Sequence, residues 1–177
     1  MKEAAIMADI VKMYRQELPA FRFIGKKYGD GDRVNGGFGS QWGEWFQNGW
    51  FEALEKLPGG GEALCEDGSA YLGLMRSKEG EPFEYWIGML LPAGTKVPEG
   101  YGYVDFPASA IGICWLKGPE YTLYCQDPRC CTALAENGYE PLAENDVWWF
   151  FERYACPRFT TPDENGEVIL DIGFFVK

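Results

Sequence analysis

The sequence predicts an α+β fold in which two copies of a strand-helix-strand-strand unit form one antiparallel sheet, with the helices on one face and a central ligand groove between the halves. Three observations predict it. Strand and helix patterns run through the same order twice, over residues 18–91 and 101–177. Each half closes on an Ile-Gly pair, Ile87-Gly88 and Ile172-Gly173. A Pro/Gly-rich connector, residues 92–100, separates the two runs. At 177 residues, one domain with a full core is the expectation.

Residues 1–13 carry apolar side chains at helical spacing and read as a short helical lead-in. Leu18-Pro19-Ala20-Phe21-Arg22-Phe23-Ile24-Gly25 reads as a proline-started strand running on to Tyr28. The glycine-rich residues 29–39 form a loop without the spacing of a phosphate-binding loop. Ser40 is placed to cap a helix over residues 40–57, in which Trp42, Trp45, Phe46, Trp50, Ala53, Leu54 and Leu57 make one apolar stripe ended by Pro58. Strands follow over residues 70–75 and 83–91. In the second half, residues 101–106 and 110–116 are strands interrupted by Pro107. Asp127-Pro128 opens a helix that Gly138 stops, and residues 148–154 and 168–176 are the closing strands.

Composition narrows the chemistry. Sixteen basic against 27 acidic residues give a net charge of −11, which repels phosphate backbones and anionic membrane surfaces. Histidine is absent, so Ser-His and Cys-His catalysis are excluded and acid-base work falls to Asp, Glu, Tyr, Lys or Cys. The six cysteines form no CxxC pair, and they read as reduced thiols of a cytoplasmic protein with no metal site and no cofactor. No apolar run is long enough to span a membrane.

The strand Trp148-Trp149-Phe150-Phe151-Glu152-Arg153-Tyr154 is the densest aromatic stretch. Alternation puts Trp148, Phe150, Glu152 and Tyr154 on one face and Trp149, Phe151 and Arg153 on the other. One carboxylate in an aromatic row suits a flat or cationic molecule if that face lines a cleft. The same pattern also fits an aromatic core with a rim carboxylate.

Several segments resemble the GyrI-like small-molecule-binding domain, related to the effector-binding domains of AraC- and MerR-type multidrug regulators. They are Leu18-Pro19-Ala20-Phe21-Arg22, Phe106-Pro107-Ala108-Ser109-Ala110, Trp115-Leu116-Lys117-Gly118-Pro119, Leu134-Ala135-Glu136-Asn137-Gly138-Tyr139-Glu140, Glu152-Arg153-Tyr154, and Pro157-Arg158-Phe159-Thr160-Thr161-Pro162. The resemblance runs from about Leu18 to Val176 and implies the duplicated fold with its ligand between the halves. It also implies that Glu152 is the pocket glutamate of the penultimate strand, with Trp148, Phe150 and Tyr154 beside it. Tyr71, Tyr85, Trp42 and Phe46 would line the first-half side. No DNA-binding motif accompanies these segments, so a stand-alone member is expected. The resemblance implies a binder of aromatic, lipophilic or cationic compounds of the multidrug or xenobiotic type, and the charge of −11 together with the lack of a long apolar run leads to the expectation of no nucleic-acid or membrane partner. Alternatives are a hydrolase of cyclopropanoid toxins, in which Glu152 activates water with Tyr154, and an inhibitory protein-interaction module.

Overall fold

The computed structural model describes residues 7–177. Eight strands form one sheet: β1 (Asp9–Leu18), β2 (Phe21–Tyr28), β3 (Tyr71–Ser77), β4 (Glu84–Pro92), β5 (Gly102–Phe106), β6 (Ser109–Gly118), β7 (Trp148–Tyr154) and β8 (Val168–Val176). Their order across the sheet is β1-β6-β8-β7-β3-β4-β2-β5, and every pairing is antiparallel. Helices α1 (Gly39–Gln47), α2 (Trp50–Glu55) and α3 (Asp127–Glu136) pack on one face.

The expected repeat is present, and each copy carries one strand more at its start. β1 precedes β2-α1-α2-β3-β4 as β5 precedes β6-α3-β7-β8. The reading of residues 1–13 as a helical lead-in is corrected from Asp9 onward; residues 1–6 lie outside the described residues. From Asp9 the chain is strand because its backbone pairs with β6 over nearly its whole length, and ladder hydrogen bonds override a short helical spacing. The leading strands are exchanged: β1 pairs with β6 of the other copy and β5 with β2. Proline turns at Pro19 and Pro107 make the two crossings, where a missing N–H costs no ladder bond.

The expected single helix over residues 40–57 is two helices. Gly49 takes φ +66°, a left-handed conformation that a Cβ disfavours, and the axis turns there. Ser40 lies inside the first turn rather than at the cap, which Phe38 occupies. The turn divides the stripe, so Trp45 and Leu54 enter the core while Phe46 stays 62% exposed.

The sheet is apolar on both faces, hence the nearly continuous hydrophobic runs of β4, β6 and β8. Between the helices and the sheet, Trp45, Phe51, Leu54 and Leu134 of the helices pack in one core with Ile87 and Leu170 of the strands. The other face curls on itself. Phe106 of edge strand β5 reaches Phe175 of β8 and Trp149 of β7, with ring centres 5.0 and 5.3 Å apart. Inside the curl, Arg153 is only 2% exposed and Asp171 is fully buried. Arg153 donates to Asp171 at 2.7 Å, to Gln16 at 3.0 Å and to the Tyr14 hydroxyl at 3.1 Å. Arg158 donates to Asp171 at 2.8 Å and to Asp67 at 2.9 Å, with its guanidinium 4.5 Å over the Trp115 ring. These contacts tie β1, β6, β7, β8 and the 59–70 loop together. Asp171→Ala strips both guanidiniums of their shared anion, and unfolding in urea should show a loss of about 3–5 kcal/mol.

Candidate functional site

The site is built on the central strand pair. In the β3–β7 ladder Gly73 stands directly opposite Glu152, and the same two residues are repeat equivalents, since Gly73 pairs with Ile87 and Glu152 with Ile172. Glu152 therefore lies at the pseudo-two-fold axis. A Cβ on Gly73 would fall 2.5 Å from the Tyr85 hydroxyl and 3.1 Å from Glu152 Oε2, so the space above a glycine is what the carboxylate and the phenol occupy.

Two hydroxyls hold the carboxylate. Tyr154 donates to Oε2 at 2.8 Å and Tyr85 to the same oxygen at 3.1 Å. Trp42 of α1 donates its indole N–H to the Tyr85 oxygen at 3.0 Å. Rings fix these groups: Phe38 stacks on Tyr85 at 4.2 Å, and Trp42 and Phe159 meet Tyr154 edge-on at 4.8 and 4.7 Å. Glu152 and Tyr154 keep some accessible surface although protein surrounds both on nearly every side, which places them at the floor of a recess.

Burial raises the Glu152 carboxyl above its ordinary range; the hydroxyls of Tyr154 and Tyr85 oppose that shift, and the charge of Asp127 adds to it. Burial and the nearby carboxylate push both phenols well above theirs. Asp127, at the start of α3, is itself raised by burial. Among the described residues no Lys or Arg lies within ion-pair reach of Glu152. The neighbouring position on the same strand, Arg153, is saturated by anions.

Of the residues expected at the site, Glu152, Tyr154, Tyr85 and Trp42 come together. Tyr71, paired with Tyr154 across the ladder, stacks on Phe51 at 3.7 Å and donates to Glu55 at 2.5 Å, one step away. Phe46 stands at the rim, 6.0 Å from Tyr71. Phe150 is buried against Phe174 at 5.1 Å, as part of the core beneath the recess. Trp148 shares their face but sits at the other end of β7, 37% exposed, beside Lys78, Glu79 and Asp146. The depression there has a volume of about 490 Å³; another, of about 270 Å³, adjoins the Glu152 cluster through Tyr71 and Tyr154. Phe38, Gly73, Asp127 and Phe159 escaped sequence reasoning. Strand alternation alone would have put Gly73 on the site face; the other three lie on loops or helix ends whose direction no periodicity records.

No family model matches the sequence, and no curated protein matches it. Solved structures do. A candidate bacterial transcription regulation protein from Staphylococcus aureus MU50 aligns at TM-score 0.59 and 17% identity, over 94% of this chain and 98% of that one. SAV2435 bound to tetraphenylphosphonium aligns at 0.63 and 17%, over 94% of each chain. The EcmrR C-terminal domain aligns at 0.58 and 16%, over 94% of this chain and 97% of that one. At these identities the likeness is one of fold: the chain has the fold of these three solved structures over nearly its whole length.

The raised carboxyl has a measurable consequence. A group whose folded pKa lies above its unfolded value contributes its stability below the unfolded value, here near 4.5, and loses it as pH climbs through the folded value. Urea titrations at stepped pH should therefore show Glu152→Gln gaining on wild type as pH rises through that window. Parallel curves would contradict the burial of the charge.

Proposed function

We propose that the protein binds lipophilic, aromatic cations in the recess over Glu152, as a multidrug or xenobiotic binder. The observation that carries this reading is a recessed carboxylate with ring walls, two hydroxyls and no cationic partner among the described residues. A carboxylate so placed is costly to ionise, and a soft cation that displaces its residual water supplies the missing charge. The faces of Trp42 and Tyr154 add cation–π attraction of up to about 2 kcal/mol once desolvated. The fold it shares with SAV2435, solved with tetraphenylphosphonium, supports the same choice of ligand. A net charge of −11 favours a cation's approach and opposes nucleic acid.

One observation favours a second reading. A carboxyl raised by burial and flanked by two phenols is also a stronger proton acceptor than an ordinary carboxylate, suited to activating a water against a strained electrophile such as a cyclopropanoid, with Tyr154 or Tyr85 bonding the substrate carbonyl.

Calorimetric titration with tetraphenylphosphonium chloride should give micromolar binding that strengthens from pH 5 to pH 8, about tenfold or more weaker in Glu152→Gln. Equal affinity in the two proteins would remove Glu152 from the site. Mass spectrometry of an electrophilic cyclopropane probe after incubation separates the readings, since a binder returns it unchanged.

A further inference from the structure

Tyr154 has two sides. Its hydroxyl bonds Glu152, and it also lines the neighbouring cavity of about 270 Å³ together with Glu55, Asp67, Ala70, Tyr71 and Cys156. Glu152 does not line that cavity, and Tyr154 is the residue common to the cavity wall and the Glu152 cluster. The cavity repeats the chemistry of the recess. Tyr71 stacks on Phe51 and donates to Glu55 Oε1 at 2.5 Å, giving a second carboxylate held by a phenol and set among rings.

The charges of the two acids in this cavity differ in availability. Asp67 is spent: although burial pushes its carboxyl up, hydrogen bonds and charge from Arg158 and Arg153 hold it below the usual range. Glu55 is half-buried and, among the described residues, has no Lys or Arg within ion-pair reach. Among the described residues, the fold thus presents two phenol-bound carboxylates without cations, one bonded by Tyr71 and the other by Tyr154, which stand opposite each other in the β3–β7 ladder. Tethering two weak contacts makes the second intramolecular, so one ligand that satisfies both is held far better than either half.

We infer that the cavity between Glu55 and Tyr71 is a second cationic subsite, and that the preferred ligands are elongated dications whose charges lie on either side of Tyr154. The inference rests on the reading of Glu152 as the first anchor. Cys156 lies on the cavity wall with its side chain exposed, and it reports occupancy directly.

The test uses the full chain with decamethonium, its shorter and longer bis-trimethylammonium homologues, and decyltrimethylammonium as the single-charge reference. Wild type should bind the best dication about tenfold more tightly than the reference, and Glu55→Gln should bring that ratio close to one. Bound dication should slow iodoacetamide alkylation of Cys156, followed by peptide mass spectrometry with exposed Cys125 as internal control, and this protection should be lost in Glu55→Gln. A ratio near one in wild type, a ratio untouched by Glu55→Gln, or unprotected Cys156 overturns the subsite. Failure of the first anchor reads differently: Glu152→Gln then leaves both affinities unchanged while the Glu55 dependence persists.

Discussion

At the centre of the sheet β3 and β7 meet with Gly73 facing Glu152 on the pseudo-two-fold axis, and only one of those two positions can carry a side chain. Much else follows from that constraint. A glutamate in both copies would place two carboxylates in contact, an arrangement in which one must stay protonated. A side chain in neither would leave a void that the phenol of Tyr85 and the indole of Trp42 could not fill. Duplication supplies a symmetric groove, and the glycine breaks the symmetry at its midpoint. One recess therefore serves two halves.

Adjacent residues of β7 show opposite electrostatic solutions. Glu152 faces the helices with phenols and rings but, among the described residues, no cation; Arg153 faces the curl with Asp171, Asp67, Gln16 and Tyr14 around it. The second arrangement ties the curled face together, with each of the three Arg153 guanidinium nitrogens bonded to an acceptor. The first withholds a partner. A buried charge left uncompensated costs stability in the free protein, which is the usual mark of a group kept for binding or chemistry rather than for folding.

The second half was the more legible in the sequence. β7, β8 and α3 fall where alternation, Asp127-Pro128 and Gly138 put them, because each element's signals lie within its own residues. β1 was misread because its conformation is set by a partner a hundred residues away, and the helix break at Gly49 because one glycine in an apolar stripe carries no sign of its φ. Face-sharing put Glu152, Tyr154 and Phe150 on one side of β7, where the first two come together and Phe150 sinks into the core, because alternation fixes direction and not depth. It placed Trp148 beside them although two more residues along a strand carry a side chain about 6–7 Å further off. Asp127 escaped because a residue that opens a helix reads as a boundary signal.

The exchanged strands β1 and β5 bear on how such a domain can be made and divided. Neither copy owns its outer edge, so a single repeat expressed alone would expose unpaired backbone on the strand that awaits its neighbour's contribution. Two such repeats on separate chains would satisfy each other by trading leading strands, as a domain-swapped pair does. In the present chain both leading strands belong to one polypeptide, with residues 92–100 connecting β4 to β5. Each half's outermost pairing therefore closes only when residues about eighty to a hundred positions apart meet, which ties the two halves into one sheet.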